Sequence, residues 1–467
     1  MTQKWWVLAA VACGTFMATL DGSIVNIALP TLTKELGADL FRVKWVVIVY
    51  LLVITCLLLP FGRLSDQKGR KRVFQIGFLV FIIGSGLSSL APHLLWLVAF
   101  RAVQAIGASM LMANGPAIIT STFSARDRGG ALGTLAMVVS AGLVTGPSVG
   151  GFLITHLGWR SIFWINGPIG LMGIFLVHRY VKKDQPCKSI LAFDWAGAVL
   201  QTILLLLFMI IFDPPLISIS GSLPIPISRW MAIAAILVIA FLFIRVESEA
   251  EAPLFDLSLL KIKTFWIANL AGFLTFVAFS SISVLMPFFL EEVLHFEPQK
   301  AGLFMTAIPL TIFVVAPISG RLSDRVGSQE LSFAGALVGV LGLFSMAGVF
   351  GLGIHEHTSN VGIVMGLCSI GLATGLFQSP NNNAIMGSIP ISKLGVASAL
   401  LATTRNLGLV TGTGLATTLF TWRMSLTGDF TGSFHTALFT AGIVGFGALV
   451  ASLAKRNTPP TNFMTIE

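Results

Sequence analysis

Charge is what this chain has least of. Only 10% of its 467 residues are Asp, Glu, Lys or Arg, whereas 55% are hydrophobic and the mean hydropathy is +0.89. That balance excludes an ordinary soluble domain and indicates an all-α polytopic membrane protein. Cysteine is scarce as well. Cys13, Cys56 and Cys368 fall within apolar runs and Cys187 lies in a basic loop, so neither a disulfide framework nor metal-ligand spacing is present. The phosphate loop GxxxxGK followed by Ser or Thr is absent, which argues against an ATP-driven pump. No cofactor is expected, and no His and carboxylate cluster or nucleophile elbow points to an enzyme. The longest connection, 246–263, begins acidic and turns amphipathic, which suits either a strip on the membrane surface or a solvated linker. The Asn-x-Ser/Thr glycosylation signal is missing too, in keeping with a bacterial inner membrane. A net charge of +9 would suggest nucleic acid in a soluble protein, but its placement here follows membrane topology, and no nucleic-acid partner is expected.

What the chain does have is apolar length. Crossing about 30 Å of hydrocarbon takes roughly 18 residues or more. Segments of that kind run approximately over 5–30, 43–61, 73–91, 93–120, 130–155, 160–179, 194–213, 229–247, 264–290, 300–320, 331–351, 361–387, 395–423 and 434–454. Fourteen helices are therefore expected. The first carries Asp21 and no small-residue cleavage site, so it reads as a retained helix. Lys and Arg divide twenty to seven in favour of the side that holds both termini, which places the termini in the cytoplasm. Trp5, Trp45, Trp96, Trp159, Trp195, Trp230, Trp266 and Trp422 lie near helix ends, where amphipathic rings favour the interface.

The chain also repeats. GRLSD occurs at 62–66 and at 320–324, and GLVTG at 142–146 and at 408–412, in the same order and at nearly the same displacement. These matches predict a duplicated six-helix unit: a bundle over 1–190, two inserted helices with a linker over 191–260, and a second bundle over 261–467. Aligning Phe16 with Phe276 sets Asp21 opposite Ser281, so the second half lacks the acid.

Asp21 stands inside a run otherwise apolar enough to span a bilayer. An ionised Asp at that depth costs about 2.5 to 3.5 kcal/mol, which favours a functional proton site over an Asp that only ties two helices together. Arg101 is its expected energetic partner; holding helix four by bonding backbone carbonyls is the competing role. Arg405 also falls inside a helix, with less motif support. In GRLSDQKGRKR, Gly62 and Gly69 permit a tight turn while Asp66 can cap a helix or pair with Arg70. Such a loop is either a conformational latch between bundles or a plain positive-inside signal, and its echo at Gly320 and Asp324 favours the latch. Gly142, Gly146 and Gly150, with Pro147 and Gly151, line small residues along one helix face and add a kink. Asn26, Tyr50, Gln104, Asn114, Asn166, Gln378 and Asn382 are candidates to line a substrate cavity, or merely to bond between helices. With 36 Phe and 15 Met the chain has soft apolar surface for a permissive pocket. A single intramembrane acid suits neutral or singly cationic lipophilic cargo.

LDGSIVNIALP at 20–30, GRLSDQKGRKR at 62–72, RAVQAIGAS at 101–109, GLVTGPSVGG at 142–151 and WRSIFWINGPIG at 159–170 together resemble the Major Facilitator Superfamily, specifically its fourteen-helix drug:proton antiporters of the EmrB/QacA type. The resemblance implies two six-helix bundles around a central cavity, two extra helices between them, and export of small lipophilic compounds driven by the proton gradient. It also implies that Arg101 serves proton transfer, and that the Gly142 to Gly151 face meets the opposite bundle and controls leakage. A monomer is expected, and some relatives work with a periplasmic adaptor protein. Two other readings remain: an exporter of an endogenous metabolite, peptide or lipid, and a non-transporting membrane sensor.

Overall fold

The computed structural model describes residues 3–123, 125–182, 194–212, 229–249, 259, 262–351, 353–389 and 394–456, and they are helical apart from short connections. The first bundle comprises α1 (Gln3–Glu35), α2 (Leu40–Val43), α3 (Trp45–Lys68), α4 (Arg70–Ser89), α5 (Leu94–Thr122), α6 (Ala125–Leu157), α7 (Ser161–Trp164) and α8 (Asn166–Tyr180). An intervening pair follows, α9 (Trp195–Phe212) and α10 (Arg229–Glu249). The second bundle comprises α11 (Lys263–Phe288), α12 (Pro298–Met305), α13 (Ala307–Val326), α14 (Ser328–Met346), α15 (Asn360–Gly387), α16 (Leu394–Thr427) and α17 (Phe430–Arg456). Every apolar segment read from the sequence coincides with one helix or with two set end to end. The joints at Lys44, Ile165 and Thr306 keep right-handed helical backbone, so α2 with α3, α7 with α8 and α12 with α13 are kinked single passes. Among the described residues, 11 helical stretches are long and apolar enough to cross a membrane.

Both copies of the GRLSD repeat end at a glycine with left-handed backbone, Gly69 (φ +93°) and Gly327 (φ +106°), which lets α3 turn directly into α4 and α13 into α14. Small residues then bring neighbouring helices to backbone contact. A Cβ on Gly107 of α5 would stand 2.6 Å from Gly77 O and 2.7 Å from Phe81 Cα of α4. In the second half, a Cβ on Gly335 of α14 would stand 2.8 Å from Ala373 O of α15.

These close approaches give the register of the repeat. Gly142 approaches Phe16 O and Leu20 N, while Gly408 approaches Phe273 O and Val277 N. The first helices therefore superpose with an offset of 257 residues, Phe16 on Phe273. This corrects the sequence alignment of Phe16 with Phe276 by about one turn: Asp21 corresponds to Ala278 and not to Ser281. The sequence alignment went astray because both phenylalanines lie on the same half-buried face of α11, three residues apart.

One apolar cluster joins the two bundles at the end of the molecule remote from the Gly69 turn: Ile24, Leu29 and Leu32 of α1 share it with Ile282, Leu285 and Phe288 from the end of α11. Toward the other end the cores part. Val11, Phe74 and Ile118 belong to a cluster of the first bundle, and Phe265, Ile385 and Ala397 to a separate cluster of the second. Polar contacts across the bundles follow the same division. Lys34 Nζ lies 2.9 Å from Glu292 Oε1, Gln299 N donates to Thr155 Oγ1 at 3.1 Å, and Ser148 pairs with Thr306, all at the joined end. α10 packs on α9, and α9 lies against α3 and α16, where Leu205 joins Ile48, Leu52 and Val410.

Two tryptophans expected at the membrane interface are interior. Trp45 and Trp159 are 3% and 1% exposed, because Trp45 at the start of α3 and Trp159 in the turn between α6 and α7 both pack into apolar clusters between helices. Trp5, Trp96, Trp266 and Trp422 are exposed, and the side chains of Trp195 and Trp230 fall outside the described residues. Lys44, at the joint between α2 and α3, is fully buried, its Nζ 3.9 Å from the centre of the Phe41 ring. Most of the 246–263 connection also lies outside the described residues, although α10 carries its acidic start as far as Glu249.

Candidate functional site

Asp21 is completely enclosed within the first bundle. Its Oδ2 pairs with Arg101 Nη1, and its Oδ1 accepts from Gln104 Nε2 at 2.8 Å and from Asn166 Nδ2 at 2.9 Å. Arg101 is itself tethered: Nη1 donates to Gln104 Oε1 at 2.8 Å, Nε donates to Val46 O at 3.2 Å, and the guanidinium lies 4.0 Å from the centre of the Tyr50 ring. Tyr50 OH donates to Ala18 O at 3.1 Å. Asn166 also donates to Ser85 Oγ at 3.0 Å, and Ser85 donates to Phe163 O at 2.8 Å. One network thus ties α1, α3, α4, α5, α7 and α8 together around a single carboxylate. Arg101 and Gln104, three residues apart on α5, present one face to Asp21. The donor set matches an ionised carboxylate, which only accepts.

Among the described residues, the second half holds no such network at the matching positions. Gly77 and Gly335 mark a 258-residue offset for the third pass, while Gly107 and Ala373 mark 266 for the fourth. With the first-pass offset of 257, Asp21, Ser85, Arg101 and Gln104 correspond to Ala278, Leu343, Leu367 and Ile370. All four counterparts are buried in one apolar cluster. At these four positions the same architecture is therefore packed with hydrocarbon in one half and holds a desolvated ion pair in the other. Apolar replacement of a buried ion pair is often neutral or stabilising, so the fold itself does not require the pair.

Tyr50, Gln104 and Asn166, candidates from the sequence for a cavity lining, are buried and join Asp21 and Arg101 in the carboxylate network. Asn114 is buried and donates back to Met110 O of its own helix at 2.7 Å. Asn26, Gln378 and Asn382 are half-buried. Ser85 was missed, since a lone serine in a membrane helix carries no pattern that distinguishes it from one bonded to its own turn.

The glycine face of α6 divides. Cβ atoms on Gly142, Gly146 and Gly150 would meet α1, at 3.1 Å from Leu20 N, 2.8 Å from Ser23 Cβ and 2.6 Å from Ile24 Cγ1. These three seal α6 to its own bundle, contrary to the expectation that the whole face meets the opposite one. Gly151 and Pro147 do meet the other bundle: a Cβ on Gly151 would stand 2.9 Å from Gln299 Cα, and one on Gly302 would stand 3.0 Å from Pro147 C. In the GRLSD loop, Arg70 donates to Ala117 O of α5 at 3.1 Å, and Lys71 donates to His178 O and Val181 O at the end of α8. Lys71 thus sits on the C-terminus of α8, which also suits the helix dipole. Gly62 has open space around it, and Gly320 faces Ser379. The side chains of Asp66 and Asp324 fall outside the described residues.

Comparison with known proteins fits this geometry. The family profile of the Major Facilitator Superfamily matches residues 11–413 and again 270–464. The riboflavin transporter RibZ of Clostridioides difficile is 35% identical over 420 residues, covering 90% of this chain and 89% of that protein. The uncharacterized transporter YebQ of Escherichia coli is 30% identical over 98% of this chain and 97% of its own length, and the multidrug resistance protein Stp of Mycobacterium tuberculosis 29% over 87% and 74%. Among solved structures, a POT family transporter in complex with 5-aminolevulinic acid superposes with a TM-score of 0.71 at 14% identity, covering 96% of each chain.

Proposed function

We propose that this chain, which belongs to the Major Facilitator Superfamily, is a proton-coupled antiporter that exports lipophilic compounds, of the fourteen-helix drug:proton type. It is a multi-pass membrane transporter and not an enzyme. The observation that carries the finer reading is the enclosed Asp21 network, built where the counterparts of Asp21, Ser85, Arg101 and Gln104 in the other half are Ala278, Leu343, Leu367 and Ile370.

On this reading the end rich in Lys and Arg faces the cytoplasm and the end where the two cores join faces outside. Substrate then enters from the cytoplasm or inner leaflet. When the bundles rock to open outward, Asp21 takes a proton. A protonated carboxyl must donate through its new O–H, yet Arg101, Gln104 Nε2 and Asn166 Nδ2 all already point donors at it. Protonation therefore forces the network to rearrange, and with it the joints between α1, α5 and α8. Asn166 Oδ1, buried without a partner among the described residues, is an acceptor that a turned amide would offer to that O–H. Gly62, Asp66, Gly69 and Arg70, with Gly320 and Asp324, would latch the cytoplasmic ends in the outward-open state.

The test is proton movement in inside-out vesicles under an imposed pH gradient, on addition of ethidium or riboflavin. Native protein should release protons when a transported compound is added, and Asp21→Asn should not. Equal responses from the two would make Asp21 structural. A second reading keeps the mechanism and makes the cargo an endogenous metabolite, favoured by the similarity to a riboflavin transporter. It predicts proton movement with riboflavin and none with ethidium.

A further inference from the structure

Asp21 is sealed and paired, so it lends no negative charge to the space between the bundles. A charged side chain that does stand at that boundary is Arg405. It lies about a third of the way along α16, is half-buried, and among the described residues makes no hydrogen bond or ion pair. One turn further along, a Cβ on Gly408 would stand 2.7 Å from Phe276 Cβ and 2.8 Å from Phe273 O of α11. Three residues before it, Ala402 packs against the core of the first bundle. Arg405 thus lies on the α16 face between α11 and the first bundle, the side on which the two cores part.

α11 presents phenylalanines to this stretch of α16. Phe273, Phe276 and Ser283 are the half-buried positions along one face of α11, and the 257-residue offset makes them the counterparts of half-buried Phe16, Thr19 and Asn26 on α1. The repeat also shows that the fold does not ask for a cation at position 405. Gly142 and Gly408 are equivalent, so the counterpart of Arg405 is Val139. A guanidinium at membrane depth is costly to bury, and no counter-ion among the described residues offsets that cost.

We propose that Arg405 anchors the substrate and that the cargo is an aromatic compound carrying an anionic group. The fork of five N–H donors fits a carboxylate or similar anion in two-point contact, and the phenylalanine faces fit a flat apolar body. This deepens the exporter reading and rests on it, but reverses the charge of cargo that one intramembrane acid suggests. Moving an anion out while a proton moves in carries positive charge inward in both steps, so an inside-negative potential across the cell membrane speeds export.

The experiment uses the full chain in inside-out vesicles under a pH gradient, with fluorescein as the anionic aromatic probe and ethidium as the cationic one. Native protein should accumulate fluorescein, faster when the potential is imposed. R405Q, checked for native elution on size exclusion, should lose uptake about tenfold or more, and R405K should retain part of it. Fluorescein uptake by R405Q at the native rate overturns the anchor. So does proton-linked ethidium uptake by a native chain that takes up no fluorescein, which leaves the exporter standing. A native chain that moves neither dye overturns the anchor, and the exporter reading falls with it when riboflavin also moves no protons.

Discussion

At the scale of single residues, the cost of the Asp21 network is measurable against the other half of the same molecule. Arg101→Leu strands an enclosed carboxylate and should destabilise the protein by about 3 to 5 kcal/mol. Adding Asp21→Ala to Arg101→Leu reproduces the Ala278 and Leu367 pair of the second half, and should recover at least half of that loss while abolishing coupling. Thermal unfolding of the single and double variants in detergent checks this, and a double variant no better than the single would show that the hydrogen bonds to Gln104 and Asn166 matter more than the charges. Asp21 and Arg101 were legible in the sequence because charges in long apolar runs stand out. Their pairing was not, since 80 residues separate them and only the packing of α5 on α1 and α3 brings them together. Tyr50, Gln104 and Asn166 were visible as polar residues, but whether a polar side chain faces a cavity or a carboxylate depends on helix rotation, which one sequence does not show.

At the scale of elements, the α6 glycines do two different jobs. Gly146→Val drives two methyls into Ser23 and Ile24 within the first bundle, and should cost about 1 to 3 kcal/mol or more in stability. Gly151→Val meets the backbone at Pro298 and Gln299 in the other bundle, so it should spare the bundle core and instead destabilise closure of the outer end. Gly62→Ala meets nothing and should be silent in both respects. Accessibility of a cysteine placed at Thr306 to a membrane-impermeant thiol reagent, together with melting temperature, separates these outcomes. A rise in accessibility should appear for Gly151→Val alone. The spacing of small residues every fourth position was plain in the sequence and correctly signalled close helix packing. Which helix they pack against was not, because the α1-facing and outward-facing glycines, 150 and 151, are adjacent in the chain and differ only by rotation about the helix axis.

At the scale of the whole molecule, the division of the core is what defines the state. Oxidising a cysteine pair at Thr155 and Gln299, in a chain whose native cysteines are serine, should lock the joined end and stop export, with activity restored by reductant. Transport unaffected by the cross-link would mean that this end need not open. The inserted pair α9 and α10 lies beside the seam between α3 and α16, where Leu205 packs with residues of both bundles. Its removal should therefore loosen that seam without touching the Asp21 network, and loss of folding together with that network would count against this placement.

By itself the sequence determined the class, the helical passes and the internal duplication. Apolar length, scarcity of charge and repeated pentapeptides are local properties that survive without knowledge of contacts. Only the tertiary structure decided the rest: that Asp21 is sealed by Arg101, Gln104 and Asn166, that its counterpart is Ala278, that the bundles meet at one end, and that Arg405 stands between them with no partner among the described residues. The physical reason is the same in each case. Hydropathy says how deep a residue lies in the bilayer, whereas partner, counterpart and access depend on the rotation of helices about their own axes, which packing sets.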